Sequence, residues 1–194
     1  MASARTAAVP RRGVRADPVG RASRLANPAP AVVRPDFLAV LPARLFRAER
    51  PLAYVALAWM MALIPSLALS ALVSQLVPGQ GPQLPTLAPG LLFFMLVIFA
   101  PVIETLIMGA VLLLVERLAG FTSALFVSAV GWGIAHSLQA PAWGLVIWWP
   151  FLIFSLAFLV WRRRSLALAF VIPMAIHALQ NLVPALLLVS GLGA

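Results

Sequence analysis

The sequence contains no cysteine and no lysine, and only five acidic side chains in 194 residues. The absence of Cys excludes disulfides, Cys-type zinc sites and thiol nucleophiles. The first 50 residues hold no apolar stretch of signal-peptide type. No internal repeat and no cofactor motif is visible anywhere in the chain. HExxH spacing, the helical signature of one large zinc-hydrolase class, is also missing.

What is abundant is apolar side chain. Hydrophobic residues make up 63% of the sequence and the mean hydropathy is +1.03. Soluble domains run nearer 45–50% apolar, so the composition reads as an integral membrane protein. Five apolar segments follow one another: about Leu52 to Val77, Pro89 to Val115, Thr122 to Leu138, Trp143 to Trp161, and Ser165 to Val189. Each approaches or exceeds the ~17–25 residues that a spanning helix needs. Helices are the open-chain way to satisfy backbone groups in lipid. The expected fold is therefore all-α, a polytopic membrane bundle of about five transmembrane helices over residues 51–194.

All fourteen basic residues are Arg, and ten of them fall in residues 1–50. That stretch is rich in Arg, Ala and Pro and has no sustained apolar period. It reads as a disordered or surface-lying tail, in which Phe37 to Arg50 is expected to form a short amphipathic interfacial helix. It lacks the interleaved aromatics of a nucleic-acid-binding segment. Anionic lipid headgroups are the simpler partner, at about 1 kcal/mol per basic residue near the surface. The remaining Arg are Arg117 and the triplet Arg162, Arg163, Arg164. With five alternating spans, all Arg fall on one side, and the loops 78–90 and 139–142 carry no charge. The positive-inside rule then places the N-terminus in the cytoplasm and the C-terminus outside, with a bacterial inner membrane as the expected location. The Trp residues read as interface anchors.

One carboxylate lies inside the spans. Glu104 is the only charged residue between Leu91 and Val115, and a carboxylate at a helix centre costs roughly 2.5–3.5 kcal/mol on insertion scales. His136, His177 and Asn181 are the other strongly polar groups inside spans. Counted from the Arg-bearing end of each span at ~1.5 Å per residue, all four sit roughly 18–24 Å deep. His177 and Asn181, four apart, share a helix face. A Glu and a His around one water are general-base equipment, and a second His with an Asn can donate to a developing oxyanion. Ser128 lies two turns from His136, too far along the axis for a Ser–His dyad. Two His and one Glu also make a familiar zinc triad, so a divalent metal at Glu104, His136 and His177 stays open.

The stretches "APVIETLIMG", "GWGIAH" and "IHALQN" resemble the successive motifs of the CAAX prenyl protease and bacteriocin-processing (CPBP) family, intramembrane glutamate-dependent endopeptidases. The family motifs are EExxxR, FxxxH and HxxxN. Onto them fall Glu104, His136, and His177 with Asn181; "RRRSLALAF" is similar to the Arg-x-Gly-Ser-Leu turn before the last. The resemblance covers about residues 91–188. It implies that Glu104 and His136 activate water, that His177 and Asn181 hold the oxyanion, and that the substrate is a membrane-delivered peptide. The sequence departs from the family at Thr105 and Gly109, which replace the second Glu and the Arg, and at Trp132, which replaces the Phe. Two other expectations stand beside the protease. One is a non-catalytic membrane subunit or assembly partner of a larger membrane protein complex. The other, a transporter coupled through Glu104, is disfavoured by the lack of repeat symmetry.

Overall fold

A computed structural model describes residues 32–82 and 85–190. Among these residues there is no strand. Four helices are long and apolar enough to cross a membrane: α1 (Pro51–Leu76), α2 (Pro89–Ser137), α3 (Gly144–Trp161) and α4 (Leu166–Val189). The chain is an all-α membrane bundle, as expected from its composition.

Five separate spans were expected where four helices stand, and α2 accounts for the difference. Straight, its 49 residues would be roughly 74 Å long at ~1.5 Å per residue, more than twice the ~30 Å hydrocarbon core. It is not straight. Gly120 has φ 82° and ψ 176°, a backbone region essentially reserved for Gly. Glu104 and His136, on opposite sides of Gly120, would be roughly 48 Å apart on a continuous helix. Instead Glu104 lies 3.8 Å from His177, and His136 packs on Phe151, whose ring also touches His177. The chain therefore reverses at Gly120. Residues 89–119 and 121–137 are two arms, and the second arm is the expected third span, joined to the first by one residue in place of a loop.

α3 is the central rod. Every residue from 150 to 161 is buried, so this helix is apolar all round and is wrapped by protein and not by lipid. Lipid tails are as apolar as Leu, so burial alone drives little association here, and close packing and interhelical hydrogen bonds carry it. Gly133 on the second arm and Gly144 at the start of α3 meet backbone to backbone. Ser155 Oγ donates to Ser128 Oγ across the same pair, at 2.8 Å.

Two proline-orphaned carbonyls are repaired from other helices. Pro65 lies inside α1 and has no N–H to give Met61 O, four residues back. Trp149 Nε1, on α3, donates to that oxygen at 2.8 Å. In α2 a π turn spans Met95–Phe99, and the N–H of Ala100 goes to Met95 O. The next donor in that register would serve Leu96 O, but it belongs to Pro101 and does not exist. Asn181 Nδ2, on α4, donates to Leu96 O at 2.9 Å.

The interfacial helix expected over Phe37 to Arg50 is absent. Two short 3-10 turns, Asp36–Leu38 and Ala43–Phe46, take its place. Pro42 between them cannot continue an α-helix begun before it. This segment does not lie loose on the surface: Leu38, Leu41, Leu45, Phe46 and Ala48 are buried in the bundle core. Tyr54 Oη donates to Leu45 O at 3.0 Å, and Phe37 packs on Phe126 with ring centroids 5.0 Å apart. Residues 1–31 of the expected tail lie outside the described residues.

The two ends of the bundle differ in charge. Arg164 Nη1 donates to Ala48 O at 2.9 Å, and Arg162 Nε pairs with Glu116 Oε2 at 2.8 Å. The segment 32–50, the Gly120 corner and the Arg triplet after α3 thus share one end. The uncharged loops meet at the other, where Gly79, Gln80, Ala142 and Trp143 line a cavity of about 110 Å3.

Candidate functional site

Three of the four polar residues singled out above come together in the interior, each on a different rod. Glu104 is on the first arm of α2, His136 on the second and His177 on α4. Glu104 Oε2 lies 3.8 Å from His177 Nε2, within ion-pair reach and longer than a hydrogen bond. The Glu104 side chain is 24% exposed and that of His177 5%, so the carboxylate sits at the edge of the bundle and the imidazole inside it.

Phe151 of α3 organises the two imidazoles. Its ring centroid is 5.6 Å from that of His136 and 5.3 Å from that of His177. Phe154 stacks on His177 at 4.7 Å. Trp132, one turn before His136, stacks on Phe151 at 4.5 Å. The aromatic that replaces the family Phe at Trp132 is thereby part of the site wall.

His136 has a defined tautomer. Its Nδ1 lies 2.9 Å from Trp132 O, and a carbonyl can only accept, so Nδ1 carries the proton and donates. In the neutral ring Nε2 is left with its lone pair, the form a general base requires. His177 differs, because its Nδ1 is buried and meets no hydrogen-bond partner.

Asn181 does not join the cluster in the expected way. Its amide is tied to Leu96 O, the carbonyl freed by Pro101, which makes it a tether between α4 and the π turn. One of its two amide N–H groups remains.

The two family departures have structural counterparts. A Cβ on Gly109 would meet Phe158 Cε2 at 2.7 Å and Phe170 Cζ at 2.9 Å. Those rings pack edge to face at 5.0 Å, filling the space where a motif Arg would start. Thr105 is buried at 1% exposure, and its Oγ1 has no partner. The charge pair of the family motif is replaced by aromatic packing and one small polar side chain.

Several tryptophans read as interface anchors serve inside the bundle. Trp161 is fully buried and meets Tyr54 edge-on at 5.3 Å. Trp149 caps Met61 O. Trp143 packs edge-on against His136 at 4.7 Å and also lines the cavity at the uncharged end, so one indole touches both. The positions of Phe151 and Phe154, in the middle of an apolar span, gave no sequence signal of their role against the imidazoles.

Among the described residues, no three His, Asp or Glu side chains are grouped closely enough to hold a metal ion. Glu104 and His177 approach one another, but the open triad with His136 is not assembled as a ligand set. Comparison of the chain with known protein families, with curated proteins and with solved structures finds no match.

Proposed function

We propose that the protein is a CPBP-like intramembrane endopeptidase acting on a membrane-associated peptide or protein. The observation that supports it is the packing of His136 and His177, from two rods, on the ring of Phe151, with Glu104 of a third rod 3.8 Å from His177. In this mechanism a water enters between Glu104 and His136. Glu104 takes one proton from the water, which is held by the free Nε2 of His136, as the water oxygen attacks the scissile carbonyl carbon. His177 and the remaining N–H of Asn181 donate to the oxygen that becomes negative. The C–N bond then breaks, and the proton passes to the leaving amine. Partial exposure of Glu104 at the bundle edge suits a substrate that arrives laterally from lipid.

The test is cleavage of membrane-anchored peptides by protein reconstituted in liposomes, with products read by mass spectrometry. Glu104→Gln keeps the shape and removes the base, so a fall of roughly 10²–10⁴-fold is expected. Equal cleavage by wild type and Glu104→Gln overturns the proposal.

A second reading, a non-catalytic subunit or assembly factor of a larger membrane complex, is favoured by one observation. The position of the motif Arg is closed by Phe158 and Phe170. In that case Glu104→Gln is silent, and a stoichiometric partner co-purifies from native membranes.

The proposed placement is a bacterial inner membrane, with the Arg-rich end of the bundle cytoplasmic and the C-terminus outside. The sequence has no cysteine, so a single Cys at Arg163 or at Gln80 labels without background. Membrane-impermeant maleimide added to intact cells should reach Gln80→Cys and not Arg163→Cys. The reverse result inverts the orientation.

A further inference from the structure

At the Arg-rich end, a cavity of about 340 Å3 lies where the second 3-10 turn meets the start of α1. Its lining includes Arg44, Arg47, Arg50 and Glu49, with an apolar wall of Ala53 and Leu57. The three Arg are spaced three apart. A 3-10 turn has three residues per turn, so side chains at i and i+3 eclipse. The turn Ala43–Phe46 and its cap Arg47 thus carry Arg44 and Arg47 on one side. Leu45, Phe46 and Ala48, at the intervening positions, are buried in the core. The packing that holds the turn is what presents the guanidinium groups.

Among the described residues, none of the three Arg has an acidic oxygen within 4.0 Å; the ion pairs there are Arg162 with Glu116 and His177 with Glu104. Glu49 offsets one of the three, leaving a net positive cavity. The first turn of α1 adds to it. It starts at Pro51, has no acidic residue and no side-chain cap, so the N–H groups of Leu52 and Ala53 lack helical partners. Guanidinium forks and free helix-start amides are both donors suited to phosphate oxygens. The depth is also defined: α1 begins its apolar run immediately after Arg50, and Leu52 is 86% exposed toward the surroundings. The cavity therefore lies at the headgroup level, with apolar α1 surface below it.

We propose that this cavity binds one phosphate-bearing anion, with Arg44, Arg47 and Arg50 as its ligands and the phosphate of an anionic phospholipid headgroup as the source that fits its depth. The acyl chains of such a lipid would run down α1 past Leu52.

The test uses the full chain in detergent. Native mass spectrometry reads retention of added phosphatidylglycerol against phosphatidylcholine, and thermal unfolding reads stabilisation by inorganic phosphate. All three Arg are exposed, so Arg47→Gln with Arg50→Gln should leave the unliganded melting temperature unchanged. Arg163→Gln, an exposed Arg at the same end and outside the cavity, is the control for nonspecific charge. Expected is a single phosphatidylglycerol retained at least about tenfold more than phosphatidylcholine, a preference the double variant loses and the control keeps. Stabilisation by inorganic phosphate that the double variant loses would support the same site with a soluble phosphate as its source. Equal behaviour of wild type and double variant toward both probes, or equal losses in the control, overturns the proposal.

Discussion

Gly109 shows how one missing side chain reshapes a site. Its Cα faces two phenylalanine rings at distances that leave no room for Cβ. Overpacking of this kind costs about 1–3 kcal/mol, so Gly109→Ala should lower the melting temperature of the detergent-solubilised protein. An unchanged melting temperature would show that Phe158 and Phe170 give way easily. Rebuilding the family motif by Thr105→Glu with Gly109→Arg should prevent folding instead of raising activity, since it drives a charge pair into aromatic packing that leaves no room even for a Cβ at position 109. Light-scattering size-exclusion profiles of the double variant check this. Glu104, His136 and His177 were legible in the sequence because polar residues are so rare in its spans. Phe151, which ties the imidazoles together, was not, because an apolar residue in an apolar helix carries no contrast.

At the scale of elements, prolines explain two of the polar contacts between helices. Pro65 and Pro101 each free a carbonyl, and Trp149 and Asn181 each fill one. The positions of the prolines were plain in the sequence. Their remedies were not, since the donors lie 88 and 85 residues away along the chain and only tertiary structure pairs them. Interhelical hydrogen bonds of this type average about 0.6 kcal/mol and reach about 1.7 in membrane proteins. Asn181→Ala should therefore destabilise by that order. In a Pro101→Ala background the new N–H can serve the carbonyl from within α2, so the same change should cost less. A double-mutant cycle of unfolding free energies measures the difference. Strictly additive values would mean that Asn181 is not there to compensate Pro101. The stretch Phe37 to Arg50 was misjudged for a related reason: its mix of apolar and Arg residues suits an amphipathic interfacial helix, but Pro42 interrupts it, and two 3-10 turns bury its apolar side chains against the bundle instead.

At the scale of the whole molecule, a bundle of membrane-crossing helices was legible from hydropathy, whereas the merging of two expected spans into one helix reversed at Gly120 was not. Hydropathy senses length and composition, and a one-residue corner changes neither. Gly120 is left-handed and extended, a conformation costing about 1–3 kcal/mol for other residues, though a Cβ there meets no atom within 4 Å. Gly120→Val should therefore destabilise through backbone strain alone. A paired-cysteine crosslink between Ser128→Cys and Ser155→Cys, whose hydroxyls touch in the native bundle, reports whether the corner still forms. Undiminished crosslinking and an unchanged melting temperature in Gly120→Val would show that the corner tolerates a side chain.

The rod wrapped on every side, α3, is not the last to be synthesised. When it leaves the ribosome, α1 and both arms of α2 are available to flank it, but α4 is still to come. Until then one flank must rest against lipid or an insertion chaperone, and Phe154 and His177 have not yet met. Assembly thus ends in a closing step, and that same step completes the polar cluster, so the membrane never holds an exposed, finished site on a half-made chain. A chain stopped after Ser165 should consequently be cleared by membrane proteases much faster than the full chain, as pulse-chase labelling would reveal; equal lifetimes would mean that the bundle closes without its final helix.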